Sequence, residues 1–271
     1  MSAPEPVFLS HFLRLALPPL KAHPFPPEFQ QKLEPAPPLA ADVALAPWSE
    51  GSGAEALSFR AAVARDLEAL PDVEAYQHLL PPPAFRDGDL PEATMLPTVH
   101  FWAIINAWQP MMRVYNLEEE IGFGGHDASG SVRGPLHVGD HLPLHEAQRV
   151  PRQLVFRRSA PEKILAPVVV AAPWTLSLAA LPELVTKHAS AKQLEAAAAQ
   201  EPAARALADT LAYMQSTGAS FALLTTYEHF VFLRSGAQGE VQVSEPIAAG
   251  DKDVTVYAAM WMWGRDVAKA A

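Results

Sequence analysis

Between Ile164 and Pro182 the chain carries no ionisable residue. A run of this kind fits a lipid bilayer or the interior of a sheet covered on both faces. Its length approaches the ~20 apolar residues that cross a bilayer. However, Pro167, Pro173 and Pro182 recur along it, and each removes a backbone donor that lipid cannot replace. The β-branched Val168, Val169 and Val170 favour extended backbone. The run therefore predicts a fully buried central strand that leads into a loop and a helix, with no membrane partner.

The 271 residues suffice for one large domain or two small ones, and a content of 49% apolar and 18% charged residues is ordinary for a globular chain. Of the 27 prolines, more than half precede Ala84, so the N-terminal third reads as turns and extended connections. A net charge of −10 excludes sequence-independent nucleic-acid binding through bulk charge. The absence of cysteine excludes disulfides, thiol nucleophiles and thiolate zinc sites. The opening apolar stretch Val7–Leu15 has no basic residues before it and is interrupted by His11 and Arg14, unlike a secretory signal. The expectation is an intracellular chain, cytoplasmic or nuclear.

Residues 1–53 are expected to form a proline-rich N-terminal arm that packs on the body or stays mobile, and residues 54–271 a single α/β domain. Helical spacing is read over Ala54–Leu70, with Phe59, Val63, Leu67 and Leu70 on one face, and over Asp72–Leu80. A stronger helix is read over Thr98–Glu119. Its stripe of Phe101, Ile105, Trp108, Met112 and Tyr115 belongs to a core, and Pro110 should kink the helix or split it in two. Residues 122–148 are glycine- and histidine-rich and irregular, and short strands and turns are expected there. Strands are expected at Gln153–Arg157 and Leu165–Ala171, followed by helix from Leu181 to Ala212 interrupted at Pro202. Gly218 suits a helix C-terminus, and Phe221–Arg234 reads as strand with a bend near Tyr227-Glu228. A final helix runs from about Val254 to Ala268. The order predicts a mixed sheet flanked by helices.

Candidate chemistry gathers in the middle of the chain. His137, His141 and His145 recur every four residues near His126, Asp127, Asp140 and Glu146. These are ligand types for zinc or a similar cation. Gly139 and Pro143 would break a helix there, and on a strand the three imidazoles lie too far apart for one ion. The plain alternative is three surface histidines. Arg149, Arg152, Arg157, Arg158 and Lys163 form a basic run opposed by Glu162. It reads either as a strand edge blunted by charge or as a phosphate-facing groove. No G-x-S-x-G elbow and no phosphate-binding P-loop are present, and Ser129 and Ser131 are too close in sequence to His126 and Asp127 to suggest a triad.

The block from Tyr213 to Arg234, with helix-ending Tyr213-Met214, the turn at Gly218 and the strand Leu224-Thr225-Thr226-Tyr227-Glu228, resembles a recurrent block in uncharacterised fungal proteins. Those proteins resemble the PD-(D/E)XK nuclease-like, or restriction-endonuclease-like, superfamily. The resemblance implies an αβββαβ core over roughly Thr98 to Gly264. It also implies a site in which an acidic residue and an E-x-K pair hold a divalent cation for phosphodiester hydrolysis. The first of these positions falls on Pro151-Arg152, and the second on Val170, Ala171 and Ala172. Glu119 or Glu120 matches the glutamate of the superfamily's first helix. Arginine cannot ligate a cation, and valine and alanine neither bind metal nor move protons. The resemblance therefore implies a catalytically degenerate pseudo-nuclease acting as a binding or scaffold module, with no cofactor expected.

Two alternatives stand beside it. In one, a relocated site built on Asp140, the first-helix glutamates and His137 or His141 is an active nuclease that uses magnesium or manganese. Glu162 and Lys163 are adjacent, so on a strand they point to opposite faces and do not replace E-x-K. In the other, the chain has no nucleic-acid role. The arm and the last helix then engage a protein, with Trp261 and Trp263 as exposed anchors if that helix is not core.

Overall fold

The structure is a computed structural model that describes residues 9–24, 36–51, 56–70, 91–94, 96–115, 121–126, 132–133, 153–157 and 160–270. Its strands are β1 (Lys21–Ala22), β2 (Leu45–Pro47), β3 (Ser49–Glu50), β4 (Leu57–Ser58), β5 (Glu92–Ala93), β6 (Ile121–His126), β7 (Val132–Arg133), β8 (Gln153–Arg157), β9 (Ala160–Val170), β10 (Phe221–Thr225), β11 (His229–Ser235), β12 (Val241–Val243) and β13 (Ile247–Ala248). The helices are α1 (Leu9–Leu13), α2 (Phe59–Glu68), α3 (Leu96–Ala103), α4 (Gln109–Tyr115), α5 (Leu181–Lys187), α6 (Ala191–Ala197), α7 (Pro202–Thr217) and α8 (Val256–Ala270). A π-helical turn at Ile104–Trp108 joins α3 to α4.

The apolar run forms the second half of β9, in the middle of a mixed sheet ordered β2-β12-β11-β10-β9-β8-β6-β7, with β13 also on β11. β6, β8 and β9 are antiparallel neighbours, whereas β10 lies parallel to β9 and antiparallel to β11. The ladder to β10 starts at Val168, so Pro167 stands just outside it and removes no bond from it.

Both faces of this sheet are covered, which is why its central strands lack the alternation of a half-exposed sheet. Val168 and Val170 of β9, Leu223 of β10, and Phe230 and Phe232 of β11 pack into one core with residues of α1, α2, α3, α4 and α8. Ala222, Leu224, Val231 and Leu233 point the other way, into a second core with α5, α6 and α7. The layers are helix, sheet, helix, which is the mixed α/β class expected.

Individual elements show how local chemistry was modified by tertiary packing. α2 starts at Phe59 rather than Ala54, because Ser58 caps it by accepting from the Ala61 amide. The long first helix is divided at the predicted place. Pro110 has no N–H to give the Asn106 carbonyl four residues back, and in α geometry its ring would collide with that carbonyl. The helix widens into the π turn, where the Gln109 amide reaches Ile104, and the Asn106 carbonyl accepts from the Tyr257 hydroxyl instead. The helical stretch after Leu181 breaks at Pro202 and also at His188–Ser190, where the backbone leaves the helix to bond Leu45 and Val43. Gly218 closes α7 in the left-handed conformation.

The described parts of the proline-rich N-terminal segment belong to the body. Phe12, Leu13 and Leu17 are buried in the first core, and β2 pairs with β12 at one edge of the main sheet. Each of those buried side chains contributes roughly 1.5–3 kcal/mol. Arg234 secures the same segment by stacking on Trp48 and pairing with Glu50. The last helix is core: Trp263 is fully buried and Trp261 half-buried beneath Arg265. The condition for two exposed tryptophan anchors is therefore not met. The helix read at Asp72–Leu80 lies outside the described residues.

Candidate functional site

The sheet brings the start of β8 and the ends of β9 and β10 to one edge. Gln153 pairs with Val168, and Val170 pairs with Thr225. The Ala171 amide continues the ladder to the Thr225 carbonyl at 2.8 Å. Val170 and Ala172 are both buried, Val170 in the first core. Beyond them the chain turns, as the Thr175 amide and hydroxyl both donate to the Ala172 carbonyl, and Trp174 packs against the same core. Val170, Ala171 and Ala172 are buried at this end of β9, and their side chains offer neither a metal donor nor a proton acceptor.

The nearest polar groups in register come from the β10–β11 turn. Glu228 is exposed there and His229 half-buried. The turn is held by Thr225 Oγ1, which accepts from the Tyr227 amide and donates to the His229 carbonyl, both at 2.9 Å. Tyr227 has φ of 69°, a left-handed conformation that is strained for an aromatic residue. Among the described residues, no group of three or more histidines and carboxylates is gathered anywhere in the molecule.

That strained backbone sends the Tyr227 side chain into the core, where it meets a polar network. Its hydroxyl donates to the Pro18 carbonyl at 3.0 Å and accepts from Asn106 Nδ2 at 2.9 Å. The Tyr257 hydroxyl donates to the Asn106 carbonyl, and the Thr255 hydroxyl to the Leu13 carbonyl. Asn106, Tyr227, Thr255 and Tyr257 are all fully buried. Burial pushes the Tyr227 phenol far above its ordinary range, outweighing the hydrogen bond from Asn106. Burial also raises Tyr257, and the neighbouring Tyr227 adds to the effect. Both phenols are thus fixed as neutral hydrogen-bonding groups, and neither serves as an acid or nucleophile near neutral pH.

This network was not anticipated from the sequence. The available signal was an asparagine set in an apolar helix four residues before a proline, a position where its carbonyl must find a partner other than the helix.

Of the residues singled out in the sequence, Val170 and Ala172 lie together, buried, at the end of β9. Arg157 and Lys163 lie at the other end of β9, by the turn from β8, with Arg157 half-buried and Lys163 exposed. At about 3.3 Å per residue, the seven residues from Lys163 to Val170 span roughly 20 Å. The described part of the basic run is thus remote from the matched E-x-K positions. Arg149, Arg152, Arg158, Glu119, Glu120, Asp140, His137, His141 and His145 lie outside the described residues. Compared with family models, with curated proteins and with solved structures, the chain matches none.

Proposed function

We propose that the chain is a PD-(D/E)XK-like domain that has lost metal-dependent hydrolysis and acts as a binding or scaffold module. The observation that carries this reading is the apolar end of β9, where the positions matched to E-x-K are the buried Val170 and Ala172. The strand arrangement supports the superfamily part of it. A helix, the antiparallel β6, β8 and β9, the helix α7 and then β10 parallel to β9 occur in the order αβββαβ, with the short strand β7 and the helices α5 and α6 as additions. The first helix directs Asn106 toward this part of the sheet, and that residue is committed to Tyr227.

Magnesium or manganese, which the resemblance brings with it, does not fit this end of the sheet. The side chains of Val170 and Ala172 have no donor atom, the Ala172 carbonyl is taken by Thr175, and the Thr225 side chain is used within its own turn. No hydrolytic step is derived through such an ion.

The test is incubation of the full chain with single- and double-stranded DNA and RNA in magnesium or manganese. No cleavage is expected. Cleavage that disappears in Asp140→Ala would replace this reading with a relocated active site. Titration with the same nucleic acids then separates the kinds of module. Salt-dependent binding lost on changing Arg152, Arg157 and Arg158 to Glu marks a nucleic-acid binder, whereas no binding leaves a protein partner.

A further inference from the structure

We infer that the Asn106 side chain is a two-position relay that couples docking of the N-terminal segment to the geometry of the first helix. The inference rests on donor and acceptor arithmetic. The Tyr227 hydroxyl has one proton, which goes to the Pro18 carbonyl at 3.0 Å, and its lone pair accepts from Asn106 Nδ2 at 2.9 Å. The chain of bonds therefore runs from amide to hydroxyl to carbonyl. Asn106 Oδ1, although the residue is fully buried, has no hydrogen-bond partner among the described residues.

A second arrangement uses that vacant oxygen. When Pro18 withdraws, the Tyr227 proton loses its acceptor. A half-turn of the Asn106 amide then presents Oδ1 to the hydroxyl, and Nδ2 becomes the unpaired arm. With Pro18 docked the first arrangement makes two hydrogen bonds and the second only one; with Pro18 withdrawn each makes one, but only the second uses the Tyr227 proton, so docking decides which is favoured.

The placement of Asn106 turns this into coupling. It is the middle residue of the π turn, and its carbonyl is held by Tyr257 because Pro110 cannot hold it. One residue thus joins the first helix to the β10–β11 turn and the last helix, and through Tyr227 to the N-terminal segment. That segment is secured independently, by the Leu17 amide on the Ala249 carbonyl at 2.8 Å and by the Lys21 and His23 amides on Pro91 and Ala93. It can therefore loosen around Pro18 while its flanks stay attached.

The experiment is amide hydrogen exchange on the full chain, read over residues 17–23 and 109–114. Leu17→Ala loosens the segment without touching the relay. It is expected to speed exchange over 109–114 about fivefold in the native background and to leave it unchanged when Asn106→Leu is also present. Indifference of 109–114 to Leu17→Ala, or an equal response in both backgrounds, overturns the relay. If Leu17→Ala does not fold, Tyr227→Phe keeps the ring and deletes only the hydroxyl. It must loosen both stretches, and loosening of one alone overturns the relay.

Discussion

The apolar end of β9 and the Asn106 network are neighbours in the sheet, since Val170 pairs with Thr225, two residues before Tyr227. They are built in opposite ways. At Val170 and Ala172 there is no functional group at all. Around Asn106, Tyr227 and Tyr257 there are several, but burial holds the phenols neutral and their hydrogen bonds tie backbone together. The difference separates two ways of occupying the interior. An apolar strand end is stabilised by burial alone, whereas a buried polar group stabilises only while its partners stay in place.

The largest effect is expected where both regions lose their support. Deleting residues 1–51 removes Phe12, Leu13, Leu17 and Trp48 from the first core, the sheet-edge strand β2, and the Pro18 acceptor. At roughly 1.5–3 kcal/mol for each buried side chain, the loss rivals the whole stability of a domain. The truncated chain should lose its near-ultraviolet circular dichroism. A truncation with native dichroism would show the segment to be dispensable.

Next in size is Val170→Glu, which places an unpaired carboxylate in the first core and should destabilise by about 4 kcal/mol, read from the urea midpoint. A Val170→Glu, Ala172→Lys double variant that folds at native stability and binds manganese in calorimetry would break the contrast between the two regions. Tyr257→Phe should cost about 2 kcal/mol, because it leaves the Asn106 carbonyl buried without a donor. A loss no larger than that of a surface substitution would mean that the π turn satisfies this carbonyl unaided.

The smallest effect concerns a charged group nearer the surface. Burial pushes the Asp251 carboxyl up, but the Val254 amide, Arg60 and the Asp253 amide together hold it below the usual carboxylate range. A carboxyl depressed in the folded state stabilises above its unfolded-state pKa, and that contribution fades as pH falls through the folded value. Asp251→Asn should therefore flatten the loss of stability below about pH 4 and change little at neutral pH. An unchanged acid limb would remove Asp251 from the account.

Legibility in the sequence followed the range of the interaction. The uncharged run disclosed the burial of its strand part, Leu165 to Ala172, because composition and β-branching act along the chain, whereas Thr175, Ser177, Ala179, Ala180 and Pro182 beyond it are exposed. The break at Pro110 was legible because a missing N–H is a local fact. The form of the break was not, because the π turn depends on a hydroxyl from Tyr257, 151 residues away. The emptiness at Val170 and Ala172 was legible once a strand was assigned there. That both are buried depended on the helices covering the sheet.

By itself, the sequence determined which segments form strands and helices near the sheet and where proline or Gly218 ends them, since backbone donors and conformational limits belong to single residues. Tertiary structure alone decided that the N-terminal segment is built into the core, that the stretch after Leu181 breaks at His188–Ser190, and that Asn106 meets Tyr227. These features arise between groups far apart in sequence: Asn106 and Tyr227 are separated by 121 positions, and Tyr227 and Pro18 by 209. No local pattern encodes such pairs, because the free energy that selects them appears only when burial removes water from both partners.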